Sequence, residues 1–293
     1  MITNILHNAL IAITNNSDDK FDWRTPLTFT AQEANSTIKL TKYGSPVIDG
    51  LQYRTNINSD WLTYTIDDII TLTNVDDYVQ FQNTNNELPT SALDYVRFVM
   101  EGKIAASGNI QSMLNYAKSC TPYCYSSMFY DCTSLVKAPE LPATTLATEC
   151  YAGMFYGCTS LTSAPKLPAT TLEYQCYHSM FYDCTSLVKA PELPATTLAE
   201  RCYQYMFQGC TSLTSAPSIL PATNLANNCY RYMFYYCSSL KYIKVGFTDW
   251  NNNKSTYDWL YSVSFSGTFV CPKDLSIKHG EYYIPNFWTV ETY

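Results

Sequence analysis

The sequence predicts an α+β, multi-domain chain: an N-terminal helix, an antiparallel immunoglobulin-like β-sandwich, and a solenoid with one short strand and one short helix per coil. Three observations carry this. A helical apolar period opens the chain, a period of two replaces it from Asp22, and from Cys124 one pattern recurs five times at 26 or 27 residues. The expected divisions are 1–21 for the helix, 22–95 for the sandwich, 96–123 for an N-terminal cap, 124–248 for the coils and 249–293 for a second cap.

Ile2, Ile5, Leu6, Ala9, Leu10 and Ile13 fall at i, i+3, i+4, i+7, i+8 and i+11, one stripe of a helix that Asn15 to Asp19 terminates. A helix this short is marginal alone and must bury its stripe on something. Either it folds back onto its own domain, or Ile2, Ile5, Leu6, Leu10 and Ile13 form an oligomerising or docking seam. The second reading makes the chain a homo-oligomer, preferentially a trimer. From Leu27 to Gln82, six short runs alternate apolar with Thr or Tyr at roughly ten-residue spacing: 27–30, 38–41, 51–55, 61–66, 70–73 and 78–82. Gly, Pro, Asn and Asp clusters split them, as in a small sandwich. Tyr95 to Ile104 resumes as a strand and leads into the first coil.

Each coil reads C-Y-x-x-M-F-x-x-C-T/S-S-L-x-x-A-P-x-L-P-A-T-T-L-A, with first cysteines at Cys124, Cys150, Cys176, Cys202 and Cys229. Units of this size bury their apolar residues only by stacking like on like. At 100° per residue, Cys124, Tyr125, Met128, Phe129 and Cys132 share an arc of about 140°, the buried face of a short helix. Leu135, Ala138 and Leu141 then suit a short strand, irregular around Pro139, Pro165, Pro191 and Pro217. Two cysteines eight residues apart on a helix are ~12 Å apart, too far for a disulfide within a coil. A ladder between coils stays geometrically open, but stacked buried thiols are the expected state. After the fifth coil, Trp250, Trp259, Phe265 and Trp288 are expected to cover the open end.

Composition excludes several functions. A net charge of −7 without a Lys/Arg run argues against nucleic-acid and anionic-membrane partners. No apolar run approaches the ~18 residues that insert in a membrane. The N-terminus shows no secretory pattern, so Sec export is not expected. Histidines stand only at positions 7, 178 and 279, and no phosphate-loop, dinucleotide, zinc-protease or C-x-x-C motif occurs. Cys120 and Cys124 lack partners for zinc. No catalytic residue, metal or cofactor is therefore assigned.

The candidate contact residues form a column. One outward repeat position carries Tyr130, Tyr156, Tyr182, Gln208 and Tyr235, flanked by Tyr205, Tyr232 and Tyr236. Exposed tyrosine offers rigid, amphipathic contact area; alternatively these rings lie flat on neighbouring coils as packing. The opposite side presents Val136, Lys137 and Glu140, then Thr162, Ser163 and Lys166, with the first triplet repeated at Val188, Lys189 and Glu192. Those charges can pair between coils.

The period, the aromatic turn closed by x-x-C-T/S-S-L and the strand ending in Leu-Pro resemble the BspA-like leucine-rich repeats of gut Bacteroidetes surface proteins and their phages. The resemblance runs from Cys124 to about Tyr242, with A-P-x-L-P where the family more often has I-x-I-P. It implies a binding scaffold. The resulting expectation is a non-enzymatic phage fibre or capsid-decoration protein in the virion. Its N-terminal region would meet virion structural proteins, and its solenoid a bacterial surface glycan or protein. The alternatives are a bacterial cell-surface adhesin of the same family and a polysaccharide-degrading enzyme that uses the repeats as a carrier.

Overall fold

The computed structural model describes residues 22–88, 91, 93–250 and 254–293. The expected N-terminal helix, with the seam Ile2, Ile5, Leu6, Leu10 and Ile13, lies outside the described residues.

Two sheets form the N-terminal region. In the first, strands run β4 (Leu62–Thr63), β3 (Leu51–Thr55), β6 (Tyr78–Asn83), β1 (Leu27–Ala31), β8 (Ile104–Ser107) and β9 (Leu135–Lys137). The second is β5 (Ile70–Leu72), β2 (Ser36–Tyr43) and β7 (Tyr95–Glu101). Alternation decides the faces: β6 and β7 bury every second residue. Phe29, Phe81 and Phe98 meet between the sheets, with ring centroids 4.7 Å apart for Phe29 and Phe98 and 5.3 Å for Phe81 and Phe98.

The expected immunoglobulin-like sandwich is corrected here. Its larger sheet is not closed off as a separate module, because β8 pairs in parallel with β9 of the first coil. The smaller sheet joins the repeats too: the Phe98 amide donates to the Met128 carbonyl, and the Phe98 ring stacks on Phe129 at 5.5 Å. Strand β7 thus occupies the place of a coil that precedes the first.

The helix of each coil is the larger correction, and with it the α+β class and the strand-plus-helix solenoid. Among the described residues the one helical element is a 3-10 turn, Ile110–Leu114. The nine-residue stretches beginning at the first cysteines are chains of turns. Ser126, Met128, Tyr130 and Cys132 donate to the carbonyl three residues back. Between them, Tyr125, Ser127, Phe129 and Asp131 donate to Cys150, Ala152, Met154 and Tyr156 of the next coil, at 2.7–2.9 Å. An α-helix satisfies its amides within itself; here alternate amides cross to the neighbouring coil.

That alternation requires a left-handed residue at every fourth position. Tyr123, Ser127 and Asp131 have φ of 60°, 57° and 55°, and Gln175, Ser179 and Asp183 repeat them at 53°, 52° and 55°. The same sites in the second coil include Gly153 and Gly157. A non-glycine residue there costs roughly 1–2 kcal/mol. Gln175→Gly is therefore expected to raise stability by about 1 kcal/mol in urea unfolding. In a helix the same change would lower it by about 0.5–1 kcal/mol, and a measured loss would reject the turn geometry.

The strand half of each coil is sparse. Beyond β9, coils join through single parallel bridges, Thr145 to Thr171, Ser163 to Lys189 and Lys189 to Ser215. Pro139, Pro165, Pro191 and Pro217 follow closely and have no amide to extend a ladder. A third sheet, β10 (Tyr242–Lys244), β11 (Thr268–Cys271) and β12 (Thr289–Thr292), closes the C-terminal end in parallel register.

Candidate recognition face

The side chains of the coils form columns, one residue above its counterpart. Two are interior. Phe98, Phe129, Phe155, Phe181, Phe207 and Phe234 stack at 5.3–5.6 Å. Tyr125, Tyr151, Tyr177, Tyr203 and Tyr230 stack at 5.5–6.0 Å and end against Trp259. The backbone sets this spacing: coils joined by amide bonds lie ~4.8 Å apart, so like rings meet offset and nearly parallel.

The second cysteine of each coil adds a hydrogen bond. Cys132, Cys158, Cys184, Cys210 and Cys237 each donate through Sγ to the carbonyl of Phe98, Phe129, Phe155, Phe181 and Phe207 respectively, at 3.0–3.1 Å. All twelve cysteines are free and buried. Burial pushes the Cys132 thiol up to about 12, so it remains a protonated donor. No group of three or more His, Cys, Asp or Glu among the described residues is placed to hold a metal ion.

The tyrosines singled out by sequence stand in two outer columns and are half-buried, except Tyr236, which is exposed and edge-on to Tyr235. Tyr130, Tyr156 and Tyr182 stack at 4.8 and 4.4 Å. Gln208 interrupts them, its Nε2 donating to the Tyr182 hydroxyl at 2.8 Å, and Tyr235 resumes on Tyr261 at 5.1 Å. The second column has His178 edge-on to Tyr205, which stacks on Tyr232 at 4.9 Å, and Tyr257 edge-on beyond it. Cations cap both: Arg97 lies over Tyr43 and Tyr130, and Arg231 over Tyr232 and Tyr257.

This geometry fixes what the columns can present. Where the rings stack, their facing surfaces are occupied, so what those pairs leave outward is ring edges and phenol hydroxyls. Desolvation, then the neighbouring Tyr182 and Tyr130, pushes Tyr156 up to about 12. That hydroxyl therefore stays protonated and both donates and accepts. The row supplies hydrogen-bonding groups at a regular step. On the opposite side, charges do not pair between coils; the ion pairs found among the described residues are Lys39–Asp67 and Arg201–Glu200. Glu192 instead accepts from the Ser218 amide and hydroxyl, at 3.0 and 2.6 Å.

Sequence reasoning treated the C-terminal aromatics as covers. Trp250, Trp259 and Trp288 are buried, whereas Phe265 is 75% exposed against Phe287. It also passed over Tyr257, Asp258 and Tyr261, which continue the columns. The left-handed positions Lys254, Asp258 and Ser262, at the same four-residue step, mark a sixth turn stretch, although no C-Y-x-x-M-F announces it.

The family model of the BspA type leucine rich repeat region matches residues 123–257 in six copies, a range that reaches into this sixth stretch. These residues, somewhat less than half of the chain, are similar to that repeat region. No curated protein and no solved structure matches the chain.

Proposed function

We propose that this chain is a non-enzymatic, surface-displayed adhesion protein whose outer tyrosine columns, Tyr130, Tyr156, Tyr182, Tyr205, Tyr232 and Tyr235, contact a bacterial surface glycan or protein. One observation carries the reading: the hydroxyls recur from coil to coil on a rigid stack, a preorganised array suited to a repetitive polar surface. Labelled full-length protein should bind intact bacterial cells. Tyr156→Phe with Tyr182→Phe, which keeps the rings and removes two hydroxyls, should reduce binding at least tenfold. Absent binding, or binding untouched by the double variant, would reject the proposal.

Display on a cell envelope suits the repeat type. A second reading, a virion fibre or capsid-decoration protein mounted as a trimer on virion structural proteins, is favoured by the five thiol-to-carbonyl bonds. They need reduced cysteines, the state kept by a cytosolic assembly site. Immunogold labelling separates the two: label on particles supports the virion, label on envelopes the adhesin.

A further inference from the structure

The Tyr130-to-Tyr261 column ends in a cleft. Tyr235, Tyr261, Asp258, Glu281, Tyr283 and Asn286 are among its lining residues, and its volume is about 580 Å³, within the ~300–1,000 Å³ usual for ligand clefts. Tyr261 is more exposed than every ring before it in the column. It stacks on Tyr235 at 5.1 Å, has Tyr236 at a right angle to it at 6.0 Å, and is 51% exposed. Its exposure leaves ring surface open to the cleft.

The far wall is held in place before any ligand arrives. Coil six donates to it three times: Asp258 N to Glu281 O at 2.8 Å, Thr256 Oγ1 to Tyr282 O at 2.6 Å and Trp259 Nε1 to Tyr283 O at 2.9 Å. The loop closes on itself through Gly280 N to Ile284 O and Ile284 N to Lys278 O, both 3.1 Å. Burial and then Glu281 push the Asp258 carboxyl up, so the two carboxylates are close enough to sense each other.

The lining selects the ligand's chemistry. Carboxylates accept from hydroxyls, an open aromatic face takes the C–H face of a pyranose, and no Lys or Arg lines the cleft to attract an anion. We propose that this cleft binds a neutral saccharide, stacked on Tyr261 with its hydroxyls donating to Asp258 and Glu281. The proposal deepens the adhesion reading by naming its ligand class and rests on it for biological meaning, although binding at the cleft can be measured separately.

The test is calorimetric titration of the full chain with maltohexaose, cellohexaose, mannohexaose and N-acetylchitohexaose. At least one should bind saturably. Tyr261→Ala should weaken that binding at least tenfold and Glu281→Gln about threefold, while Lys189→Ala on the opposite side stays within twofold. Melting temperatures identify any variant that has unfolded, and the exposed Glu281 gives a substitution that leaves the stack intact. No binding by the panel, or unchanged binding by both cleft variants, overturns the proposal. So does binding only of a tetralysine peptide, abolished by salt, since that would make the cleft a cation site. Cells bound equally by wild type and Tyr261→Ala, with no saccharide bound, reject the cleft and leave adhesion standing; saccharide binding without adhesion does the reverse.

Discussion

Phe155→Ala is expected to cost about 3–5 kcal/mol, the usual range for emptying a fully buried phenylalanine site. Phe155 is inaccessible to water and held between Phe129 at 5.3 Å and Phe181 at 5.5 Å, both within 7° of parallel. Neither neighbour can tilt into the void, because each is stacked on its far side as well. The loss should also spread. Phe98 on β7 is the first member of the same column, and in the other sheet β8 pairs with β9 of the first coil, so the N-terminal sheets and the coils share one core. Urea unfolding followed by tryptophan fluorescence and by far-ultraviolet circular dichroism should show one transition that moves to lower denaturant. Two transitions, with only the second displaced by Phe155→Ala, would mean that the sheets and coils fold independently.

The columns were legible because repetition discloses them. Cys124, Tyr125, Met128, Phe129 and Cys132 are all buried, as their arc implies. The backbone was misread because periods of 3.6 and 4.0 residues separate by only about 80° over that span, too little for one short stretch to tell apart. A cue existed in Gly153, Gly157 and Gly209, which fall on the four-residue step that needs positive φ, whereas glycine has no reason to recur inside a helix. The strands of the first sheets were visible as alternation. Their fusion to the repeats was not, since no local pattern shows that Phe98, 31 residues before Phe129 and outside any C-Y-x-x-M-F, completes a column. The C-terminal cleft was hidden for a related reason: its walls come from single-copy sequence, and only the coordinates place Glu281 beside Asp258.

His178 yields the second large effect, one that depends on pH. Burial, and secondarily the Arg201 charge, holds its imidazole down at about 4. Ser179 Oγ lies 3.1 Å from Nδ1 and Tyr205 packs edge-on to the ring, so no carboxylate offsets a proton there. Unfolded, the same ring titrates near 6.5. Between those values the unfolded chain binds the extra proton, so this contribution is complete above about pH 6.5 and lost as pH falls toward 4. A displacement of that size corresponds to about 3 kcal/mol, and because the ring is only partly buried, about 2 kcal/mol is the realistic loss. Carboxyls with raised values, such as Asp183 and Asp258, move stability the opposite way on acidification, so the total pH curve does not isolate the ring. The difference between wild type and His178→Gln does. That gap, from urea unfolding at successive pH values, should shrink by about 2 kcal/mol from pH 7 to pH 4. A gap that stays constant would show that the proton reaches His178 in the folded protein as easily as in the unfolded chain, contrary to its burial beside Tyr205.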